Sequence, residues 1–218
     1  MKSIRSVRPL LLALVIGLGL VAQSKTSHAA ELESITVAGG CFWCVEADFE
    51  KVKGVKEAVS GYTGGAKANP TYKQVTKGGS GHYEAVKITY DPSVITRPQL
   101  YALFLRSVDV TDAGGQFCDR GESYRTAIFA SGAAATDAAN ALSNAQAELG
   151  QKIVTPILAE APFYPAEEYH QDYYKSSDLI LTRFGPRTKS KAYKLYRNAC
   201  GRDKRVKQLW GNAAAFTG

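Results

Sequence analysis

The hydrophobic positions of this chain repeat with two different periods, and the changes between them predict a succession of strands and helices. Apolar residues at alternate positions, or short apolar runs, indicate strands, whereas a period near 3.6 indicates helices. Predicted strands span residues 35–37, 55–62, 82–90, 124–129 and 153–160. Predicted helices span residues 41–52, 71–76, 97–107, 136–149 and 167–174. This mixture predicts an α+β fold, a two-layer sandwich in which helices pack on a mixed sheet, as an elaboration of the ferredoxin-like arrangement.

The first 29 residues have the three-part pattern of a secretory signal peptide. A basic start that includes Lys2 and Arg8 precedes an apolar run from Leu10 to Ala22, which is too short to cross a bilayer. Small residues at Ser27 and Ala29 predict cleavage after Ala29. We therefore expect a signal peptide over residues 1–29, a single domain over 30–218, export to the periplasm and no stable membrane anchor after cleavage.

Removal of this segment changes the charge balance. The whole chain of 218 residues carries 27 Lys and Arg against 20 Asp and Glu, a net charge of +7. Four of those basic residues precede residue 30, so the mature chain has 23 basic and 20 acidic residues, a net charge of +3. That value is ordinary and gives no reason to expect a nucleic-acid partner.

The chain is basic and poorly periodic after about residue 176, which predicts an irregular C-terminal tail over residues 176–218. One interpretation is a module that binds an anionic partner. The favoured interpretation is a solvated tail that folds over the domain.

Cys41 is the strongest candidate for chemistry. It follows the strand-like run 35–37 and the pair Gly39-Gly40, and a helix-forming stretch begins at or just after it. Unpaired N–H groups and the positive end of the helix dipole stabilise a thiolate at such a position. Core filling by a small apolar side chain is the alternative. The adjacent Phe42-Trp43 pair favours the nucleophile.

The other cysteines, Cys44, Cys118 and Cys200, leave several interpretations open. Four cysteines in an exported chain can form two structural disulfides. A C-x-x-C pair more often serves redox or metal chemistry, so a general thiol–disulfide oxidoreductase is a rival function. Only His82 and His170 remain as imidazole ligands in the mature chain. We therefore expect neither a metal nor another cofactor.

Glu84 is the second candidate. On the strand 82–90 it shares a face with Val86, Ile88 and Tyr90, because successive side chains point to opposite faces. A carboxyl buried among apolar residues acquires a raised pKa and can act as a general acid near neutral pH. Tyr72 and Tyr124 each border a loop or glycine-rich segment, where a phenol can donate a hydrogen bond to a ligand.

These residues fall in ordered motifs that resemble those of peptide methionine sulfoxide reductase, the A type. The motifs are Gly40-Cys41-Phe42-Trp43, Gly61-Tyr62-Thr63-Gly64-Gly65, Asn69-Pro70-Thr71-Tyr72, Gly81-His82-Tyr83-Glu84-Ala85-Val86, Tyr124-Arg125-Thr126-Ala127-Ile128-Phe129 and Phe163-Tyr164-Pro165-Ala166-Glu167-Glu168-Tyr169-His170-Gln171. The resemblance covers about residues 33–175, and residues 176–218 resemble the tail of one branch of the family.

The resemblance implies reduction of the S epimer of methionine sulfoxide, free or in oxidised proteins. It implies that Cys41 is the nucleophile and that Glu84 protonates the sulfoxide oxygen. Tyr72 and Tyr124 would hydrogen-bond that oxygen. The substrate-binding residues that it implies are Phe42 and Trp43, which form the pocket for the substrate methyl group, and Asp119, which helps line the site.

Attack by Cys41 would leave a sulfenic acid, which a second thiol converts to a disulfide that a thioredoxin-like reductant reopens. Cys200, in the tail, is the preferred resolving cysteine by resemblance. Cys44 and Cys118 remain alternatives, and so does a disulfide between them.

Overall fold

The computed structural model of the protein describes residues 31–217, so the expected signal peptide, residues 1–29, lies outside the described residues. The strands are β1 (Glu33–Gly39), β2 (Val55–Thr63), β3 (Tyr83–Tyr90), β4 (Gly115–Gln116), β5 (Asp119–Arg120), β6 (Thr126–Phe129), β7 (Ile157–Leu158), β8 (Tyr164–Pro165), β9 (Leu179–Thr182) and β10 (Gly185–Thr188). The α-helices are α1 (Phe42–Phe49), α2 (Tyr72–Thr76), α3 (Arg97–Leu105), α4 (Gly132–Leu149), α5 (Lys189–Ala199) and α6 (Arg202–Trp210). Over residues 31–217, a helix both long enough and apolar enough to cross a membrane is not found.

Six strands form the main sheet in the order β7-β6-β1-β3-β2-β8. Neighbouring strands are antiparallel except for β6 and β7, which are parallel, so the sheet is mixed. The inner four strands, β6-β1-β3-β2, have the order of a ferredoxin-like unit in which α1 and α3 are the two crossing helices. The predicted α+β sandwich is therefore confirmed.

The two faces of β3 belong to two different cores, as its alternating sequence predicts. Val86 and Ile88 join the large core that the helices cover, while Ala85 packs on the opposite face of the sheet. Glu84 is 1% exposed and shares the helix-covered face with Val86 and Ile88. The fold therefore buries this carboxyl beneath the start of α1.

Two predicted elements between 150 and 175 are much shorter than expected. The predicted strand over 153–160 is reduced to β7, and the predicted helix over 167–174 is a short 3-10 turn, Glu168–His170. The side chain of Gln171 explains the second difference, because it hydrogen-bonds both the N–H and the carbonyl of Ser60 on β2. These tertiary hydrogen bonds hold the segment against the sheet edge in place of a helix.

The expectation of an irregular tail is wrong in its local structure. Residues 176–218 contain the hairpin β9–β10 and the helices α5 and α6, and Val206 and Trp210 of α6 join the large core. Basic residues of this segment pair with acids of the chain: Arg197 bonds Asp48, and Arg205 bonds Asp109. These two ion pairs attach the tail to the domain.

Candidate active site

The turn between β1 and α1 places Cys41 directly before the first residue of the helix. Gly40 has a φ of +81°, and a Cβ at this position would lie 2.5 Å from the Cβ of Gln116. Only glycine tolerates both the positive φ and the lack of space for a Cβ, and it allows the chain to turn sharply there. Cys41 is then the N-cap of α1, with its side chain half-buried at the wall of a cavity.

A hydrogen bond joins the start of this helix to the buried carboxyl of β3. The N–H of Phe42 donates to Oε2 of Glu84 at 3.1 Å. The other oxygen, Oε1, has no hydrogen-bond partner within residues 31–217. Cys41 and Glu84 therefore meet at one place, and one carboxyl oxygen is free to carry a proton.

Burial raises the pKa of Glu84 to about 8, against the opposing effect of the Phe42 hydrogen bond. The neighbouring charge of Asp119 acts in the same direction as burial. The carboxyl is therefore mostly protonated at neutral pH, as the strand pattern predicted.

The thiols of Cys41 and Cys44 form a coupled pair, and here the structure differs from the expectation. The hydrogen bond between the two sulfurs, burial and the charges of Cys44, Glu84 and Asp119 all raise the pKa of Cys41. The same hydrogen bond lowers the pKa of Cys44 to about 7, despite burial and with help from nearby arginines. The first negative charge of the pair is thus stabilised on Cys44.

The hydrogen bonds at the start of α1 explain why Cys41 is not the preferred thiolate. The side chain of Cys41 makes no capping hydrogen bond, and the N–H of Phe42 is given to Glu84 instead. One of the free N–H groups at this helix start therefore holds the acid in position and is not available to a Cys41 thiolate. Attack by Cys41 requires its proton to move, and Cys44 is the adjacent acceptor.

The two tyrosines predicted from loop positions also lie at this carboxyl. Tyr72 is the first residue of α2, and Tyr124 ends the 3-10 turn Glu122–Tyr124. Their hydroxyls neighbour each other, and both lie near the charge of Glu84, whose effect adds to burial in raising the pKa of each phenol. Both phenols are therefore neutral donors at physiological pH.

An aromatic wall flanks the reactive groups. Trp43 stacks on Tyr173 with ring centroids 3.7 Å apart, and Phe42 packs 5.1 Å from the ring of His170. Tyr72 lies 4.4 Å from the same imidazole. Burial lowers the pKa of His170 to about 4, so this ring is neutral and part of the wall.

A cavity of about 480 Å³ opens at Cys41, and all four cysteines line it. Trp43 and Asp119 line it too, and the tail contributes residues of β9, α5 and α6. Burial raises the pKa of the Asp119 carboxyl, and the charge of Arg202 opposes that effect. The segment expected to be an irregular tail therefore forms one side of the site.

A disulfide joins Cys118 and Cys200, with Cα atoms 5.0 Å apart, while Cys41 and Cys44 are free thiols. The alternative disulfide between Cys44 and Cys118 is not the one formed. Cys118 is exposed and Cys200 half-buried. A reductant can therefore approach this disulfide from solvent while the thiol pair stays inside the cavity.

Several residues of the site were not assigned a role from the sequence. The carboxyl of Glu167 accepts hydrogen bonds from the N–H of Tyr72 and the hydroxyl of Tyr62, both at 2.9 Å, and so fixes the start of α2. Glu167 and His170 both lie in the motif over residues 163–171, and that motif is the feature of the sequence that could have indicated their roles. Arg202 lies in the segment that was predicted to be an irregular tail, and no sequence motif indicated its role.

One further acidic group could hold a cation. Oxygens of Glu46, Glu50 and Asp172 lie within 4.8 Å of one another. Lys175 forms salt bridges with Glu50 and Asp172, and Ser60 donates to Glu46. Each of the three carboxyls thus already has a partner, so the group is a network of ion pairs and hydrogen bonds outside the cavity.

Comparison with known proteins gives a consistent result. The family model described as peptide methionine sulfoxide reductase matches residues 33–212. A Rhizobium meliloti protein named peptide methionine sulfoxide reductase MsrA 2 is 46% identical over 189 residues, covering 86% of this chain and 88% of its own. A Caulobacter vibrioides protein of the same name is also 46% identical, over 88% of this chain and 92% of its own.

Solved structures agree. The reduced form of Mxr1 from Saccharomyces cerevisiae superposes with a TM-score of 0.62 at 34% identity, covering 66% of this chain and 84% of that one. Methionine sulfoxide reductase A of Corynebacterium diphtheriae superposes with a TM-score of 0.57 at 30% identity, covering 65% and 73%.

Proposed function

Because this chain belongs to the peptide methionine sulfoxide reductase family, we propose that Cys41 and Glu84 together carry out its reaction, the reduction of the S epimer of methionine sulfoxide to methionine. The substrate is free methionine sulfoxide or an oxidised methionine in a protein, so the enzyme repairs oxidised proteins. The observation that carries the assignment is the hydrogen bond from the Phe42 N–H to Glu84 at 3.1 Å, which brings nucleophile and acid together.

The first half of the reaction follows from the unlike protonation of the two groups. A sulfoxide is a poor electrophile until its oxygen is protonated or strongly hydrogen-bonded. Glu84 supplies the proton, and the hydroxyls of Tyr72 and Tyr124 donate hydrogen bonds to the same oxygen. The Cys41 sulfur attacks the sulfoxide sulfur as its own proton passes to Cys44.

The products balance. The sulfoxide oxygen ends on Cys41 as a sulfenic acid, the substrate sulfur gains two electrons and methionine leaves. In this proposal the substrate methyl group packs against the aromatic wall of Phe42 and Trp43, of which Trp43 lines the cavity, and this wall excludes water from the reacting atoms.

The second half of the reaction returns Cys41 to a thiol. We propose that a thiol of the Cys118–Cys200 pair condenses with the sulfenic acid, forming a mixed disulfide and releasing water. The other thiol of that pair then displaces Cys41 and leaves the Cys118–Cys200 disulfide. The coexistence of that disulfide with free Cys41 and Cys44 supports this order.

The exposed position of Cys118 supports a thioredoxin-like dithiol as the reductant, since its thiolate must reach a sulfur of the disulfide in line. Two electrons pass from this dithiol to Cys118 and Cys200. The reductant leaves as a disulfide, and no metal or organic cofactor takes part in the proposed cycle.

We also propose that the chain is exported and cut after Ala29. The support is the sequence pattern of residues 1–29: a basic start, a short apolar run and small residues before the cut. The reductant would then be a dithiol protein of the exported compartment. N-terminal sequencing of the chain recovered from the producing cells reads the cleavage position directly.

The function is tested with the two epimers of methionine sulfoxide. Protein over residues 30–218 is incubated with each epimer and an excess of a small dithiol, and methionine is counted. Methionine from the S epimer alone is expected. A protein that consumes neither epimer would refute the function, whatever the roles of the individual cysteines.

The number of methionines made without any reductant tests the cysteine relay. The fully reduced chain should make about two equivalents, one when the Cys118–Cys200 disulfide forms and one when the freed Cys41 reacts again. Cys118→Ser and Cys200→Ser should each make about one equivalent and then stop, with Cys41 held in a mixed disulfide.

Cys44→Ser is the matched control for this count. It should retain about two equivalents, because Cys118 and Cys200 are intact. Peptide mapping of the disulfides completes the test. A Cys200→Ser chain that cycles normally with thioredoxin would show that the relay passes through other thiols.

A further inference from the structure

Arg202 is a buried cation at the point where the tail meets the cysteines. It is the first residue of α6, two positions after Cys200, and only 2% exposed. Its side chain lines the cavity that the four cysteines share. An arginine so deep in a protein normally has a carboxylate partner. Within the described part of the chain, Arg202 forms no salt bridge.

Backbone carbonyls hold the guanidinium instead. Nη1 donates to the carbonyl of Gly39 at 3.2 Å and Nη2 to the carbonyl of Ser107 at 3.1 Å. The guanidinium also lies 4.8 Å from the centre of the Phe117 ring. Its Nε is buried and, among residues 31–217, has no hydrogen-bond partner.

These contacts bridge every segment that carries a cysteine. Gly39 ends the strand that leads to Cys41, Phe117 precedes Cys118, and Arg202 itself follows Cys200. The planar fork of a guanidinium can bond two carbonyls while one face stacks on an aromatic ring. A single side chain therefore connects the tail to the active-site turn and to the loop that bears Cys118.

The positive charge that these contacts fix has no carboxylate in direct contact, and the carboxyls of Asp119 and Asp48 interact with it only at longer range. Two uncharged carbonyls satisfy hydrogen-bonding groups but leave the charge itself uncompensated. A thiolate formed in the same cavity is therefore stabilised by this guanidinium. The charge of Arg202 is the largest electrostatic contribution from outside the thiol pair that lowers the pKa of Cys44, ahead of that of Arg197.

We propose that Arg202 is a positioning residue for the recycling half of the proposed reaction: it holds Cys200 opposite Cys118 and keeps a fixed positive charge beside the Cys41–Cys44 pair. The inference rests on the proposed function and deepens it, because it explains why the tail is part of the site. Arg202 touches no reacting atom in this account and acts through the cysteines that it places.

Other charged and titratable groups near the thiol pair also affect the pKa of its thiols. The charges of Asp48 on the same helix, Glu84 on β3 and Asp119 on β5 disfavour a thiolate in the pair, and the charge of Cys44 raises the pKa of the buried Tyr193 on α5. Arg197 on α5 favours the thiolate, but it already bonds Asp48 and Asp203. Arg202 is therefore the cation whose removal should be felt most by the thiol pair.

The experiment compares three full-length variants. Arg202→Met removes both charge and fork, Arg202→Lys keeps the charge without the fork, and Arg205→Met is the control. Arg205 lies on the same helix and bonds Asp109 and Thr111, and it does not line the cavity. With the Cys118–Cys200 disulfide formed, only Cys41 and Cys44 titrate as thiols, and ultraviolet absorbance follows their thiolate against pH.

Arg202→Met should raise the midpoint of the first thiolate by about one pH unit, whereas Arg202→Lys and Arg205→Met leave it near that of the unaltered chain. In turnover, Arg202→Met and Arg202→Lys should both form the Cys118–Cys200 disulfide at least about ten-fold more slowly, because the fork that aligns Cys200 is lost. Both should still yield the first equivalent of methionine.

A midpoint and a disulfide rate that match those of Arg205→Met would overturn the inference. If Arg202→Met does not fold, Arg202→Lys decides: slow disulfide formation after a normal first equivalent supports the inference, and a normal rate overturns it. Failure of the proposed function gives a different result, since the unaltered chain would then make no methionine while the thiolate titrations could still be compared.

Discussion

Glu84→Gln should slow the reduction of S-methionine sulfoxide by about 10²–10⁴-fold, the usual loss when a general acid is removed. Glutamine has nearly the same shape, and its carbonyl oxygen can still accept the hydrogen bond from the Phe42 N–H. The variant lacks only the acidic proton that the sulfoxide oxygen needs. The rate of the first methionine in a rapid-mixing experiment, without reductant, measures this step alone.

The role of Glu84 as the acid also predicts how the first-turnover rate changes with pH. Glu84 has a pKa of about 8, so its protonated, active form is lost as pH rises through that value. The first proton leaves the thiol pair near pH 7, because Cys44 has a pKa of about 7. Below that pH both thiols are protonated, and the nucleophilic thiolate is lost. The first-turnover rate should peak between these values, and Glu84→Gln should lose the alkaline decline.

Glu46→Gln is a matched control for this variant. Glu46 is also 1% exposed, and burial raises its pKa to about 7, but its oxygens bond Ser60 and the N–H of Asp172, outside the cavity. Its first-turnover rate should stay close to that of the unaltered chain. A Glu84→Gln chain as fast as this control would remove Glu84 as the acid.

Cys41→Ser should abolish methionine formation altogether. Serine is a preferred helix N-cap, so the turn into α1 and the Phe42–Glu84 hydrogen bond should survive the change. A hydroxyl at this position has neither the acidity nor the nucleophilicity of a thiol. Methionine is counted after mixing with S-methionine sulfoxide, both with and without a dithiol.

Circular dichroism and thermal unfolding establish that the Cys41→Ser chain is folded, and Cys44→Ser is its functional control. Cys44 is one helical turn away and is not attacked by, or bonded to, the substrate in this account. The Cys44→Ser chain should still make methionine, although its pH profile should change. Residual turnover in the Cys41→Ser chain would place the nucleophile at another cysteine.

The sequence was sufficient for the two groups at the centre of this site. Strand alternation placed Glu84 on the buried face of β3, and the Gly39-Gly40 turn placed Cys41 at the start of α1. The local period of the side chains and the backbone geometry of the glycine turn determine both positions, and a single sequence displays them directly. The alternation of strands and helices also predicted the α+β class, whereas the order of the strands in the sheet is known from the structure.

The charge state of Cys41 could not be predicted in this way. The helix terminus favours a thiolate, but the N–H that would stabilise it bonds Glu84, a residue 42 positions away in the sequence. Burial and the charge of Asp119, joined by that of Glu84 once this carboxyl ionises, then disfavour a thiolate on Cys41. The result depends on distant segments that meet only in the folded chain, and local sequence cannot weigh them.

The tail was misjudged for a related reason. Its helices carry many charges and few apolar residues, which in isolation indicates a solvated segment. The charges of Arg197 and Arg205 are instead paired with Asp48 and Asp109 of the domain. The same long-range packing brings Cys200 to Cys118, a pairing that sequence spacing left open.

The central claim is that Cys41 alone receives the sulfoxide oxygen while Glu84 supplies the proton. It is tested most directly with a chain in which Cys44, Cys118 and Cys200 are all serine, mixed with each epimer without reductant. A dione reagent that reacts with sulfenic acids, followed by mass spectrometry, then locates the oxidised sulfur. We expect about one methionine per chain and a labelled Cys41 from the S epimer, and neither from the R epimer. No methionine from the S epimer, or equal labelling of Cys41 by both epimers, would contradict the account.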